Sequence, residues 1–279
     1  MKKSVTPQRN RRPLVIATTA IILIIAAFAG YKISLSAKTA QAPACPDPIL
    51  QISPVDIALA TEILYPGQYR GGDYKAHGGF RLQTGAAAIK LPFDARIVGA
   101  NRYIETVPGT DQRVLQYLLT FEHECGVQVR FDHLYTLTPA IQAVMDTTPE
   151  AKLDDTRSQP LENGPSFTAG TVIATAVGMP EIGNTGFDFG LYDLRTPNEI
   201  SKNPTWAALH ENYSSQAYYG RCWIDYLSEP DKQRALQILP LATDDRGASD
   251  YCTFAAGGKT LDYNGGRPVT GHATPNRAR

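Results

Sequence analysis

Three runs decide the fold: ARIVGANRYI (Ala95–Ile104), VLQYLLTFE (Val114–Glu122) and VQVRFDH (Val127–His133). Each is rich in β-branched and aromatic residues, and each is bounded by turn formers, which is the pattern of strands in a sheet. Working outward, Ala88–Leu91, Thr171–Val177 and Phe187–Asp193 read as further strands. Short helices are expected at Ala140–Val144 and near Glu229–Ile238, and one or two helical turns at Ile57–Leu64. Tyr65–Phe80, dense in glycine, reads as a loop, as do the polar residues 146–166. The class is mainly β.

The whole chain has 279 residues, 27 Lys+Arg against 27 Asp+Glu, with 43% hydrophobic and 19% charged residues. That composition excludes a disordered chain and a coiled coil. The zero net charge conceals an asymmetry. Lys2, Lys3, Arg9, Arg11 and Arg12 stand in the first twelve residues without an acid, leaving 22 bases against 27 acids in the remainder. No charge interrupts Pro13–Tyr31, PLVIATTAIILIIAAFAGY. As a helix this run spans roughly 28 Å, close to the hydrocarbon thickness of a bilayer. A retained signal anchor over 13–31 is expected, with a cleaved signal, cut near Ser36-Ala37 or Ala40–Ala42, as the alternative. The basic flank places residues 1–12 in the cytoplasm and the remainder outside, periplasmic or at the cell surface.

In an oxidising compartment Cys45, Cys125, Cys222 and Cys252 imply two disulfides, with three pairings open. Cys222 with Cys252 is the local option, which leaves Cys45 with Cys125. The expected organisation is a cytoplasmic tail at 1–12, an anchor at 13–31 and a linker at 32–55. A β domain at 56–195, a C-terminal extension at 196–263 and a flexible tail at 264–279 follow. The outer part has neither a basic patch nor a reading motif for nucleic acid.

Five elements in order, His77-Gly78-Gly79-Phe80, KLPFDARIVGA (Lys90–Ala100), VRFDHLYTL (Val129–Leu137), FTAGTVIATAVGM (Phe167–Met179) and NTGFDFGLYDL (Asn184–Leu194), resemble the LytM-like domain of M23-type zinc metallopeptidases. That resemblance implies an antiparallel β-sandwich of hybrid-barrel type that handles peptidoglycan. It also implies a degenerate zinc site. His77 matches the family's first metal ligand, but Arg81 falls on its Asp and Gly190 on its second ligating His. His133 matches one catalytic His, and Asp188 replaces the other.

A catalytic zinc needs about three protein ligands and an open position for water. No cofactor is therefore expected, unless His77, His133 and Asp188 rebuild a site with Asp73, Glu122 or His123 as spare ligands. Arg81 is expected to face Asp188 where zinc would sit, in a binding groove of His77, Arg81, His133 and Asp188. The implied role is non-catalytic: binding peptidoglycan or regulating an envelope partner. An active endopeptidase with His133 and Asp188 as catalytic residues is one alternative, and a biotinyl-like adaptor of a secretion or efflux assembly another. His210 and His272, outside the motifs, are expected on the surface, and the C-terminal aromatics Tyr218, Tyr219 and Trp223 as core filling.

Overall fold

Alternation with period two builds the centre of the molecule. The computed structural model describes residues 43–70, 73–211, 214–241 and 249–252. Its strands are β1 Ala60–Leu64, β2 Gln68–Arg70, β3 Asp73–Lys75, β4 Gly78–Leu82 and β5 Ile89–Lys90. Three long ones follow, β6 Ala95–Thr106, β7 Arg113–His123 and β8 Val127–Leu137. Then come β9 Lys152–Leu153, β10 Gln159–Pro160, β11 Ser166–Phe167, β12 Val172–Val177, β13 Gly186–Asp193 and β14 Leu239–Pro240. Helices are short: α1 Pro139–Met145, α2 Pro204–Leu209, α3 Ser214–Ala217 and α4 Glu229–Gln237.

One sheet runs β10-β6-β7-β8-β13-β4-β1-β14, with β12 against β8 and β5, and β9 and β11 against β6. Most pairs are antiparallel, but β1 with β14 and β6 with β9 are parallel, so the sheet is mixed rather than purely antiparallel. On one face of β13 lie Phe187, Phe189 and Leu191, all buried, against Phe131 and Val129 of β8. Phe80 of β4 stacks on Phe187 at 5.4 Å and meets Trp223 at 4.6 Å. Each such side chain contributes about 1.5–3 kcal/mol by burial. The other face of β13 carries Asp188, Gly190 and Tyr192, opposite Asp132, Arg130 and Gln128.

Several expectations change. The helical turns expected at Ile57–Leu64 are a 3-10 turn, Ile57–Leu59, that passes into β1. The glycine-dense loop contains the β2–β3 hairpin and β4, whose Gly79 lies so close to the Phe187 carbonyl of β13 that a side chain there would collide with it. The expected linker is partly core: Leu50 and Val55 are buried, and the Leu50 amide donates to the Tyr226 carbonyl at 3.0 Å. The C-terminal extension is no appendage either, because Trp223, Ile224 and Leu227 fill the same core and β14 extends the sheet beside β1.

Disulfides join Cys45 to Cys125 and Cys222 to Cys252. The expected basic tail, the anchor at 13–31 and the tail at 264–279 lie outside the described residues. Among the described residues no helix is long and apolar enough to cross a membrane.

Candidate functional site

The polar face of β13, β8 and β4 gathers charge because a strand that buries alternate residues in the core turns the others the opposite way. Asp132 and His133 are adjacent, so a regular strand would send them to opposite faces. Here the β7–β8 register shifts, with Tyr117 opposite Leu134 and Leu119 opposite Phe131, leaving one extra residue on β8. His133 absorbs the bulge at φ +59°. A bulge re-aims side chains and often lies beside a site. For a residue other than glycine, that backbone is a local cost of order 1–3 kcal/mol. The amide of Gly178 donates to the His133 carbonyl at 2.8 Å and the His133 amide donates to Asp132 Oδ1 at 2.9 Å, which fixes the distortion.

Asp188 is the hub. His77 Nε2 lies 2.8 Å from Asp188 Oδ2, Arg70 Nη2 3.8 Å from Oδ1, and His133 Nε2 3.9 Å from Oδ2. Around it, His133 Nδ1 faces Glu105 at 3.4 Å, the Tyr103 hydroxyl donates to Asp132 at 2.8 Å, and Arg130 Nη2 donates to Asp132 at 2.7 Å. Burial alone would raise the Asp188 carboxyl, but the partnership with His77 and the charges of His133 and Arg70 hold it well below the usual carboxylate range. Burial pulls His133 down, yet its hydrogen bond to Glu105 and the charges of Asp132 and Asp188 push it up to about 9. His77 is lowered, because burial, with Arg130 and Arg70 nearby, outweighs Asp188. We therefore assign His77 as a neutral imidazole donating from Nε2 to an ionised Asp188, with His133 as the cationic member of the pair. Burial drives the Tyr103 hydroxyl upward, reinforced by Asp132, so it stays protonated as a donor.

His77, His133 and Asp188 thus converge. Arg81 shares their sheet face but turns to Glu62 at 3.5 Å and is half exposed, so the guanidinium beside Asp188 is Arg70's, not Arg81's. Among the spare ligands, His123 Nδ1 accepts from the Cys125 amide and Glu122 accepts from Gln128. Both line a separate cleft of about 540 Å³ with Asp94, Arg96 and Glu124. The Asp73 side chain and His272 lie outside the described residues. His210 is buried rather than superficial, its ring 3.9 Å from that of Tyr74 and 4.1 Å from that of Trp206. Trp223 is core, as expected.

The network includes residues the motifs did not mark: Arg70, Tyr103, Glu105, Arg130, Asp132 and Tyr192. Arg130 and Asp132 were accessible in principle, since they alternate within VRFDH and must share a face. Arg70 carries no such signal, because nothing local shows that its hairpin folds back onto β13.

Zinc does not fit this donor set as it stands. Among the described residues, no three His, Cys, Asp or Glu side chains are grouped as they would be around one metal ion. The His77 nitrogen and the Asp188 oxygen hold each other, and a guanidinium already stands beside the carboxylate. At Gly190, a Cβ would come 2.5 Å from the Tyr192 hydroxyl oxygen, so the Tyr192 ring fills the volume that a ligand side chain at that position would need.

No known family model matches the sequence, and no curated protein matches it. In structure the chain is similar to a chain of the SpoIIIAH and SpoIIQ complex, at 10% sequence identity and a TM-score of 0.32, over 66% of this chain and all of that one.

Proposed function

We propose that the protein is a membrane-anchored, extracytoplasmic binding module of LytM-like type, whose groove around Asp188 holds a partner without hydrolysing it. The observation that carries this reading is the charge network around Asp188. Asp188 is hydrogen-bonded by His77 and flanked by Arg70 and His133, so the polar face presents donors and acceptors that already hold one another in place. Two disulfides support an oxidising compartment, and the apolar run at 13–31 supports an anchor. The partner is peptidoglycan or a second envelope protein. The ectodomain is mildly acidic, so attraction to an anionic wall polymer by charge alone is a poor mechanism, and groove geometry must supply the affinity.

Co-sedimentation of the purified chain with peptidoglycan, next to site-specific cross-linking from Arg81 in the envelope, tests this. Retention on the wall, or a discrete cross-linked protein, with peptidoglycan cleavage no higher than in a boiled control, is expected. Cleavage that zinc stimulates and Asp188→Ala abolishes would establish the peptidase alternative instead.

A further inference from the structure

We infer that the strap of residues 249–252, tethered by the Cys222–Cys252 disulfide, is the positioning element of the polar face: it clamps the β2–β3 hairpin and so holds the Arg70 guanidinium at Asp188. This goes beyond the binding role, because it concerns what sets the charge geometry of the groove, and it holds whichever partner the groove takes.

The hairpin needs such a clamp. Among the described residues β2 and β3 pair only with each other, Tyr69 opposite Tyr74 and Arg70 opposite Asp73, as a two-stranded sheet apart from the large one. An isolated two-stranded hairpin is marginally stable in water. Yet this one delivers a buried cation accurately. Arg70 Nη1 donates to the His77 carbonyl at 3.0 Å, and Nη2 lies 3.8 Å from Asp188 Oδ1. A displacement of about 1 Å would carry the first of these beyond hydrogen-bond range.

The strap grips the hairpin at its base and along β3. At the base, the Ser249 hydroxyl donates to the Pro66 carbonyl, and the Asp250 amide donates to the Gly67 carbonyl at 3.0 Å. Gly67 stands at φ +79°, and a Cβ there would come within 3.1 Å of the Asp250 nitrogen, so the two segments lie in close contact. Along β3, the Tyr74 hydroxyl donates to the Tyr251 hydroxyl at 2.8 Å, which itself donates to the Ala217 carbonyl of α3 at 2.8 Å.

The strap in turn is anchored on the body of the protein. Trp206 Nε1 of α2 donates to Asp250 Oδ2 at 2.8 Å. The Tyr251 ring lies against Gly220, where a Cβ would come within 2.6 Å of it. Cys252 is bonded to Cys222, next to the core residue Trp223, and Ser249 and both cysteines are buried. The Tyr74 ring meets His210 and Trp206, so one aromatic cluster receives both hairpin and strap. Without the disulfide the strap keeps hydrogen bonds and ring contacts, which individually contribute little net stability, and regains the freedom of an untied segment.

Phenylglyoxal, an arginine-selective dicarbonyl, is the probe, and mass spectrometry reads its adduct at each arginine of the full-length chain in detergent. Arg130 is the internal reference: its side chain is 13% exposed, as is that of Arg70, but it stands on β8 and bonds to Asp132. In Cys222→Ser/Cys252→Ser, the labelling rate of Arg70 is expected to rise by about tenfold as the hairpin opens locally, with Arg130 unchanged. Tyr251→Phe, which keeps both disulfides and removes one grip on β3, is expected to raise Arg70 labelling by less. Cys45→Ser/Cys125→Ser is expected to leave it at the wild-type rate. Arg70 that stays protected in the folded Cys222→Ser/Cys252→Ser variant overturns the inference. So does a rise that is equal at Arg130, which marks general loosening, or an equal rise in Cys45→Ser/Cys125→Ser. If near-ultraviolet circular dichroism shows that Cys222→Ser/Cys252→Ser does not fold, Tyr251→Phe decides alone, and unchanged Arg70 labelling there overturns it. Labelling is read with no partner present, so retention by the cell wall stands or falls separately.

Discussion

His133 should make the stability of this protein fall as the solution becomes basic, by an amount that denaturant titration can resolve. Its folded-state value is pushed up to about 9, against about 6.5 for a free histidine. A raised cation contributes stability that is fully present below the unfolded value and lost as pH rises through the folded one. Between about pH 6.5 and 9 the native state holds one proton that the unfolded state lacks. Unfolding free energy therefore declines by about 1.4 kcal/mol per pH unit, for a total of order 3 kcal/mol. The His133 side chain is 28% exposed, so solvent screening trims this figure without removing it.

The groups that face it are Glu105, Asp132, Asp188 and Tyr103, and of these Tyr103 is raised further, so it does not titrate in the window. His77 and His210 are lowered by burial and act with the opposite sign, removing stability as pH falls below about 6.5. Stability should therefore peak near neutrality. Guanidinium unfolding at half-unit steps from pH 5.5 to 9.5 reads the curve, and His133→Gln should flatten the basic limb while leaving the acidic one. A basic limb that is flat in wild type, or that is unchanged by His133→Gln, would refute the reasoning.

Two further outcomes follow from packing and topology. Gly190→Ala brings a Cβ to 2.5 Å from the Tyr192 hydroxyl and 2.8 Å from its ring carbon, so it should cost about 1–3 kcal/mol in a denaturant titration, and Tyr192→Ala should relieve the clash in a double-mutant cycle. Breaking either disulfide by Cys→Ser pairs should destabilise by about 2–4 kcal/mol, and the Cys45–Cys125 loop, with a separation of 80 against 30 for Cys222–Cys252, should cost about 0.9 kcal/mol more by chain entropy, which thermal unfolding under non-reducing conditions can resolve.

The strands that build the core were legible because their signal is local. Ala95–Ile104, Val114–Glu122 and Phe187–Asp193 appear as β6, β7 and β13 within a few residues. The helix expected at Ala140–Val144 appears as Pro139–Met145, begun by a proline in its first turn. What failed was long-range. Leu50 reads as linker because Pro46, Asp47, Pro48, Ser53 and Pro54 surround its short apolar run, and only its burial and its backbone bond to Tyr226 place it in the core. Glycine density marked Tyr65–Phe80 as loop, yet Gly79 is small because the Phe187 carbonyl lies against it. At the site, the three residues singled out by motif order, His77, His133 and Asp188, lie together. Arg81 failed because β4 sets it two residues beyond Gly79, the residue opposite Asp188, within reach of Glu62.

Around Asp188 neither the charge nor the volume is left uncompensated. An unpaired carboxylate at Asp188 and a void beside Gly190 would each be costly. The unpaired charge alone would cost about 3–5 kcal/mol, and the void would add its own penalty. Neither defect is present: Tyr192 fills the volume next to Gly190, and Arg70 with His133 supplies the charge. The compensating groups come from different elements: Tyr192 from β13, Arg70 from the β2–β3 hairpin and His133 from β8. Their joint effect is a polar face whose side chains are held in place, the pre-organisation that would lower the entropy lost on binding in the role proposed above. Loosening this face by Arg70→Gln should therefore weaken the partner binding proposed above.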